Sequence, residues 1–117
     1  MATSIINQVM NNSGENYCKM PDGTLIQWGR NQVTTASTSG IYPGFGNNSM
    51  YRGVTDVTFP IPFTNTPAVV ADGDNRLYGA FGINETHTTN SKFSVEGGHN
   101  AANTTISFFW VAIGRWK

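Results

Sequence analysis

The chain has 117 residues, a formal net charge of zero and only 12% charged residues. That length supports one domain with a real core, not two. The missing basic surface argues against nucleic acid or an anionic membrane surface as partner, since both select for Lys and Arg.

The composition is rich in Asn, Thr, Ser and Gly. Thr suits strands, whereas Asn, Gly and Ser suit turns. Such a polar, uncharged surface fits a domain that recognises neutral polyhydroxy ligands. It also fits extracellular β-proteins that bind nothing small. The single cysteine, Cys18, permits no intrachain disulfide. The N-terminus has no basic segment followed by an apolar core and does not read as a signal peptide. The chain is therefore expected to fold in a reducing cytoplasm, even if it acts outside the cell.

Residues 3–12 place Ile5, Ile6, Val9 and Met10 at helical spacing after Thr3 or Ser4 as an N-cap. The expectation for 1–14 is a linker, a frayed end, or the last turns of a fibre shaft or coiled coil. The domain proper then runs from 15 to 117. Strands are expected over Glu15–Met20 and Thr24–Val33, joined by Pro21-Asp22-Gly23. Proline presets the turn and glycine accepts positive φ. Residues 34–53 show no strand pattern, yet Tyr42, Phe45 and Tyr51 argue against plain disorder. Val54–Phe59 reads as a strand ended by Pro60-Ile61-Pro62, because proline cannot donate to a ladder. Ala68–Ala71 reads as a short buried strand, and Asp72-Gly-Asp-Asn75 as a turn. Leu77–Asn84 and Lys92–Glu96 read as strands, and 97–103 as a glycine-rich loop.

The final run, Ser107–Lys117, is the most apolar. Its period of two puts Phe108, Trp110, Ala112 and Trp116 on one side, and Phe109, Val111 and Ile113 on the other. Both faces of this strand need a cover. A partner sheet supplies one, and a neighbouring copy of the chain is the simplest second. The run is too short and too charged to cross a membrane as a helix. The expected fold class is all-β, an antiparallel β-sandwich of about six to seven short strands.

Three pieces then occur in order. Asp22-Gly-Thr-Leu-Ile-Gln-Trp-Gly29 comes first. Val57-Thr-Phe-Pro-Ile-Pro-Phe63 with Pro67-Ala-Val-Val70 follows. Phe109-Trp-Val-Ala-Ile-Gly114 closes the chain. Together they resemble the C-terminal domain of bacteriophage tail fibres and are similar to H-type lectins, over about residues 15–117. The resemblance implies a sandwich that assembles as a homotrimer on the virion, at the tip of a tail fibre. It implies a host cell-surface glycan as partner (lipopolysaccharide or another polysaccharide), or an outer-membrane protein. H-type lectins bind sugar with an Arg, a His-Asn step and a polar residue in the loop before the Phe-x-x-Pro strand. Carried over, these fall on Arg76, His99 with Asn100, and the Asn47-Asn48 region. The chain departs from the pattern at Gly98, which stands where a stacking aromatic is expected.

Chemistry beyond binding finds little support. His87 and His99 lie apart, with no His-x-His pair, and no metal or cofactor is expected. Asp72-Gly-Asp-Asn75 begins like a calcium loop, but Arg76 replaces the next ligand and Ile83 stands where the bidentate Glu belongs. No nucleophile has a base beside it in sequence. A carboxylate pair such as Asp72 with Glu96 is testable only in space. The chain is expected not to be an enzyme. Tyr42, Phe45, Tyr51 and Tyr78 offer rings for sugar faces. The carbohydrate-binding candidates are thus Arg76, His99, Asn100, Asn48, Tyr51, Tyr78 and Tyr42. Those for the trimer interface are Phe109, Val111, Ile113 and Trp116. The alternatives are a structural trimerisation knob that meets a protein receptor through its loops, or a glycan-degrading enzyme.

Overall fold

The computed structural model of the chain describes residues 13–37, 51–73, 80–99 and 101–117. They form eight strands: β1 (Ser13–Gly14), β2 (Tyr17–Lys19), β3 (Thr24–Thr34), β4 (Tyr51–Thr58), β5 (Ala68–Gly73), β6 (Ala80–Asn84), β7 (Lys92–His99) and β8 (Thr105–Arg115). One sheet has the order β1-β2-β3-β8-β5 and the other β4-β7-β6, with every pairing antiparallel. The fold is the antiparallel sandwich that the turn spacing implied. The helical reading of residues 3–12 lies outside the described residues.

The hairpin from β2 to β3 forms for the reasons its sequence suggests. Gly23 takes φ 100°, and Asp22 Oδ1 accepts the Thr24 N–H at 2.9 Å. Strand β8 pairs with β3 along eleven residues, from Thr24↔Arg115 to Thr34↔Thr105, and with β5 on its other side. Its period of two is realised: Phe108, Trp110 and Ala112 are buried, while Phe109 and Ile113 are exposed.

The core lies between the sheets. Phe93 and Val95 of β7 and Val57 of β4 face Leu25, Val33, Phe108 and Trp110. Where Pro60 ends the ladder, the chain drops Phe59 and Phe63 into this core. Their rings meet edge to face at 4.9 Å, and Phe59 also meets Trp110 at 5.8 Å. Gln27 is fully buried and holds the loop in place by two hydrogen bonds to the Ile61 backbone.

Three expectations change. Strand β4 begins at Tyr51, three residues before the expected Val54, and β7 runs on through Gly97 and Gly98 to His99. Glycine-rich sequence reads as loop by propensity, but here the ladder to β4 continues through both glycines. Gly53 and Gly97 are directly opposite. A Cβ on Gly53 would come within 2.8 Å of Val33 Cγ2 and 2.9 Å of the Thr34 carbonyl oxygen. The two sheets approach too closely there for anything larger. Third, β5 is not buried and extends through Asp72 and Gly73. Its residues alternate exposed and half-buried, with Val70 at 66% exposure.

Candidate functional site

The strand directions gather several connections at one pole. β3 ends at Thr34, which is opposite Thr105, where β8 begins. β4 begins at Tyr51, opposite His99, where β7 ends, and β6 begins at Ala80, opposite Gly98. β5 leaves toward the same pole at Gly73, opposite Phe108. The described strand ends that flank 38–50, 74–79 and residue 100 therefore lie at one end of the sandwich. The C-terminal residues and the β2–β3 turn occupy the other.

The pole is tied together by a buried threonine. Thr35 is 2% exposed; its hydroxyl donates to the Ala101 carbonyl at 2.8 Å and accepts the Thr104 N–H at 2.9 Å. Ala36 N–H donates to the Arg52 carbonyl, and Asn103 N–H to the Ala36 carbonyl. These bonds fix the exit of β3, the start of β4 and the β7–β8 turn as one platform. Asn103 takes φ 51° within that turn.

Among the sequence candidates for carbohydrate, Tyr51 and His99 come together. They are direct cross-strand partners and both are half-buried. They share the parity of Gly53, Val57 and Phe93, so they lie at the mouth between the sheets, beyond the core. His99 Nδ1 accepts the Ala101 N–H at 3.0 Å. That bond orients the ring and leaves Nε2 as the ring nitrogen free of that contact. Arg76, Asn100, Asn48, Tyr78 and Tyr42 lie outside the described residues.

The outer face of the larger sheet has a different character. Cross-strand partners share a face, so three rows can be read from the register. Ile26, Ile113 and Ala68 form one, Trp28, Val111 and Val70 the next, and Arg30, Phe109 and Asp72 the third. Trp28, Val70, Phe109 and Ile113 are 40–66% exposed. Trp28 and Val70 belong to this surface as much as the residues of β8 do. The signal for Val70 was available: Val69 and Val70 point to opposite faces of one strand, so both faces of β5 are apolar. Trp116 lies apart, on the core side of the sheet. Its Nε1 donates to the Met20 carbonyl at 2.8 Å, and Lys19 and Lys117 place Nζ 5.3 and 5.0 Å from its ring.

Asp72 and Glu96 do not form a pair. Asp72 shares the outer face of one sheet with Phe109, and Glu96 shares the outer face of the other with Val54. The whole core separates them. Among the described residues no three of His, Cys, Asp and Glu cluster as a metal would need, and no helix is long and apolar enough to cross a membrane.

Residues 19–115 match the model of the gp53-like tail fiber protein C-terminal family. The chain belongs to that family. Three-dimensional likeness agrees. The fiber of the Pseudomonas aeruginosa R2 pyocin is 21% identical with a TM-score of 0.56, covering 85% of this chain and 23% of that one. The tailspike protein gp49 of Pseudomonas phage LKA1 is 22% identical with a TM-score of 0.56, over 81% of this chain and 16% of the other. Discoidin II of Dictyostelium discoideum is 17% identical with a TM-score of 0.54, over 79% and 37%. The tail-fibre domain thus shares its fold with a discoidin. It corresponds to less than a quarter of the R2 fiber and tailspike chains. No curated protein matches the chain in sequence.

Proposed function

We propose that this tail-fibre domain is the receptor-binding tip of a phage-type fibre. It assembles as a homotrimer on the virion and engages a host cell-surface glycan without catalysis. The observation that carries this reading is the convergence of several strand ends on one braced pole, with Tyr51 and His99 side by side at its mouth. Binding residues concentrate on loops held by a rigid scaffold. A tyrosine ring covers the apolar face of a pyranose, and an imidazole edge bonds its hydroxyls. Arg76, Asn100, Asn48, Tyr78 and Tyr42, which the resemblance and the sequence offer for the same role, are proposed as further residues of the site.

The trimer is supported by the exposed apolar rows of the larger sheet, centred on Phe109, Val111 and Ile113 and widened by Trp28 and Val70. A contiguous apolar face of this kind is uncommon on a free monomer. Trp116 bonds the Met20 carbonyl and packs against the core within its own chain. Three weak sites carried on one tip add through avidity.

The test is a glycan array probed with the purified protein, alongside adsorption to host cells. Binding to a defined set of glycans, abolished by His99→Ala with Tyr51→Ala, is the expected result. A blank array with intact adsorption transfers the receptor role to a cell-surface protein. Shortening of the host polysaccharide overturns the non-catalytic reading.

A further inference from the structure

The second surface of note is the outer face of the β4-β7-β6 sheet. It is argued from its own residues and does not rest on the Tyr51–His99 site. Its rows follow from the register: Asp56, Ser94 and Asn84 form one, and Val54, Glu96 and Gly82 the next. Two ion pairs run diagonally across it, Arg52 with Glu96 and Lys92 with Asp56. A small residue, Ser94, occupies the middle strand, and Gly82 sits beside the Glu96 wall. The result is a trough of about 410 Å³, walled by the ion pairs and closed at one end by the short helical turn Glu85–His87. That volume falls in the range of small-ligand sites, roughly 300–1,000 Å³.

Three features show what the trough accepts. Ser94 lies on its floor at 3% exposure, and no described residue hydrogen-bonds its hydroxyl. A buried hydroxyl without a partner costs free energy, which a ligand hydroxyl would recover. Next to it, Asn84 also lines the trough, and its side-chain amide makes no capping bond to the helical turn. The charges cancel: two cations, Arg52 and Lys92, are matched by two anions, Asp56 and Glu96. A free anion meets no excess positive charge here, and a free cation no excess negative charge. Carboxylate oxygens, an amide and a hydroxyl in one small concavity pair with a ligand that both donates and accepts at several adjacent positions.

We infer that this trough is a second carbohydrate-binding surface, and that it takes a neutral saccharide unit. Asp56 and Asn84 bond adjacent sugar hydroxyls from opposite walls, Ser94 bonds from beneath, and the exposed Val54 lies against the apolar ring face. The trough lies across the core from the apolar rows of the larger sheet. It therefore stays open when sister subunits cover those rows.

The test is a titration of the full-length, 15N-labelled protein, read by amide chemical shifts. The probes are methyl glycosides of neutral hexoses and of N-acetylhexosamines, with N-acetylneuraminic acid as the anionic comparator. At least one neutral glycoside should shift the amides of Asp56, Asn84 and Ser94 saturably, and the anionic sugar should not. Gly82→Leu supplies the blocking variant. Gly82 lies beside the trough, directly opposite its wall residue Glu96, and a Cβ there meets nothing within 4 Å, so the fold accommodates a larger side chain at this rim. It should weaken binding by about tenfold or more, as should Asn84→Ala, while the rest of the spectrum is unchanged. His99→Ala should leave these shifts intact. Silence from every neutral glycoside overturns the inference, as does a response to the anionic sugar alone. Shifts confined to the Tyr51–His99 pole remove the trough and leave the proposed function standing. Trough shifts beside an unresponsive pole do the reverse.

Discussion

Gln27 bonds the Ile61 backbone from both sides. Its Nε2 donates to the Ile61 carbonyl at 2.6 Å, and its Oε1 accepts the Ile61 N–H at 2.9 Å. The side chain is fully buried, and the loop it holds lies between two prolines. Residues 60–62 cannot join a ladder, so their polar groups need another partner. Gln27 supplies it in the way a neighbouring strand would. Gln27→Leu keeps the volume and orphans both Ile61 groups. The expected loss is about 2–4 kcal/mol, since each buried unsatisfied group costs about 1–3 kcal/mol. Urea unfolding checks this, with an unchanged m-value marking a purely native-state effect.

Asp22 gives the fold an acid limb. The Thr24 backbone N–H, with a further hydrogen bond from the Thr24 side chain, holds the Asp22 carboxyl below its ordinary value of 3.8, and the Arg115 guanidinium adds to the effect. A carboxyl with a lowered folded pKa contributes stability that is complete above the unfolded value. That contribution is lost as pH falls through the folded value. Thermal melts of wild type and Asp22→Asn should therefore differ at pH 7 and converge as the pH drops below about 4. A gap that stays constant to pH 2 would assign the effect of the substitution to turn shape alone.

The sandwich was legible where side chains repeat with period two or where a turn needs a particular residue. Phe108, Trp110 and Ala112 faced inward as their spacing implied, and Pro21-Asp22-Gly23 made the turn its residues demand. Gly97 and Gly98 misled, because both continue the ladder to β4, opposite Gly53 and Arg52. Gly53 in turn lies against Val33 and Thr34, and those residues are more than sixty positions from Gly97 in sequence. Asp72 and Gly73 misled likewise, since pairing with Phe109 and Phe108 overrides their turn preference. The partnership of Tyr51 with His99 was hidden for a related reason. Each sits at a strand end that propensity assigned to a loop, and register is a property of two strands at once.

The apolar rows of the larger sheet make a direct prediction for assembly. Ile113 and Val70 are 51% and 66% exposed in the single chain, so a polar side chain there costs the isolated fold little, roughly 0.5 kcal/mol. In an assembly that buries them, a charge at either position is unpaired and desolvated. Val70→Lys with Ile113→Lys should convert the proposed trimer to folded monomer in sedimentation velocity, with the far-ultraviolet dichroism of the wild type. A trimer that survives both substitutions would show that assembly uses another surface.

The C-terminal residues tie the ends of the larger sheet to each other. Arg115 Nη2 donates to the Asp22 carbonyl at 2.7 Å, and the Arg115 carbonyl accepts the Thr64 N–H at 2.9 Å. Trp116 N–H donates to the Gly23 carbonyl at 2.9 Å, and its indole to the Met20 carbonyl at 2.8 Å. Apart from the bond to Thr64, these bonds close the turn between β2 and β3, and the indole covers the edge of the core. Deleting 115–117 removes all four bonds and the ring together. Four hydrogen bonds at about 0.5–1.5 kcal/mol each, partly replaced by water, put the loss at roughly 2–4 kcal/mol. The deletion should lower the midpoint of unfolding of the dissociated, Val70→Lys Ile113→Lys chain as much as that of the trimer. A loss seen in the trimer and absent from the monomer would move Trp116 from the fold to the interface.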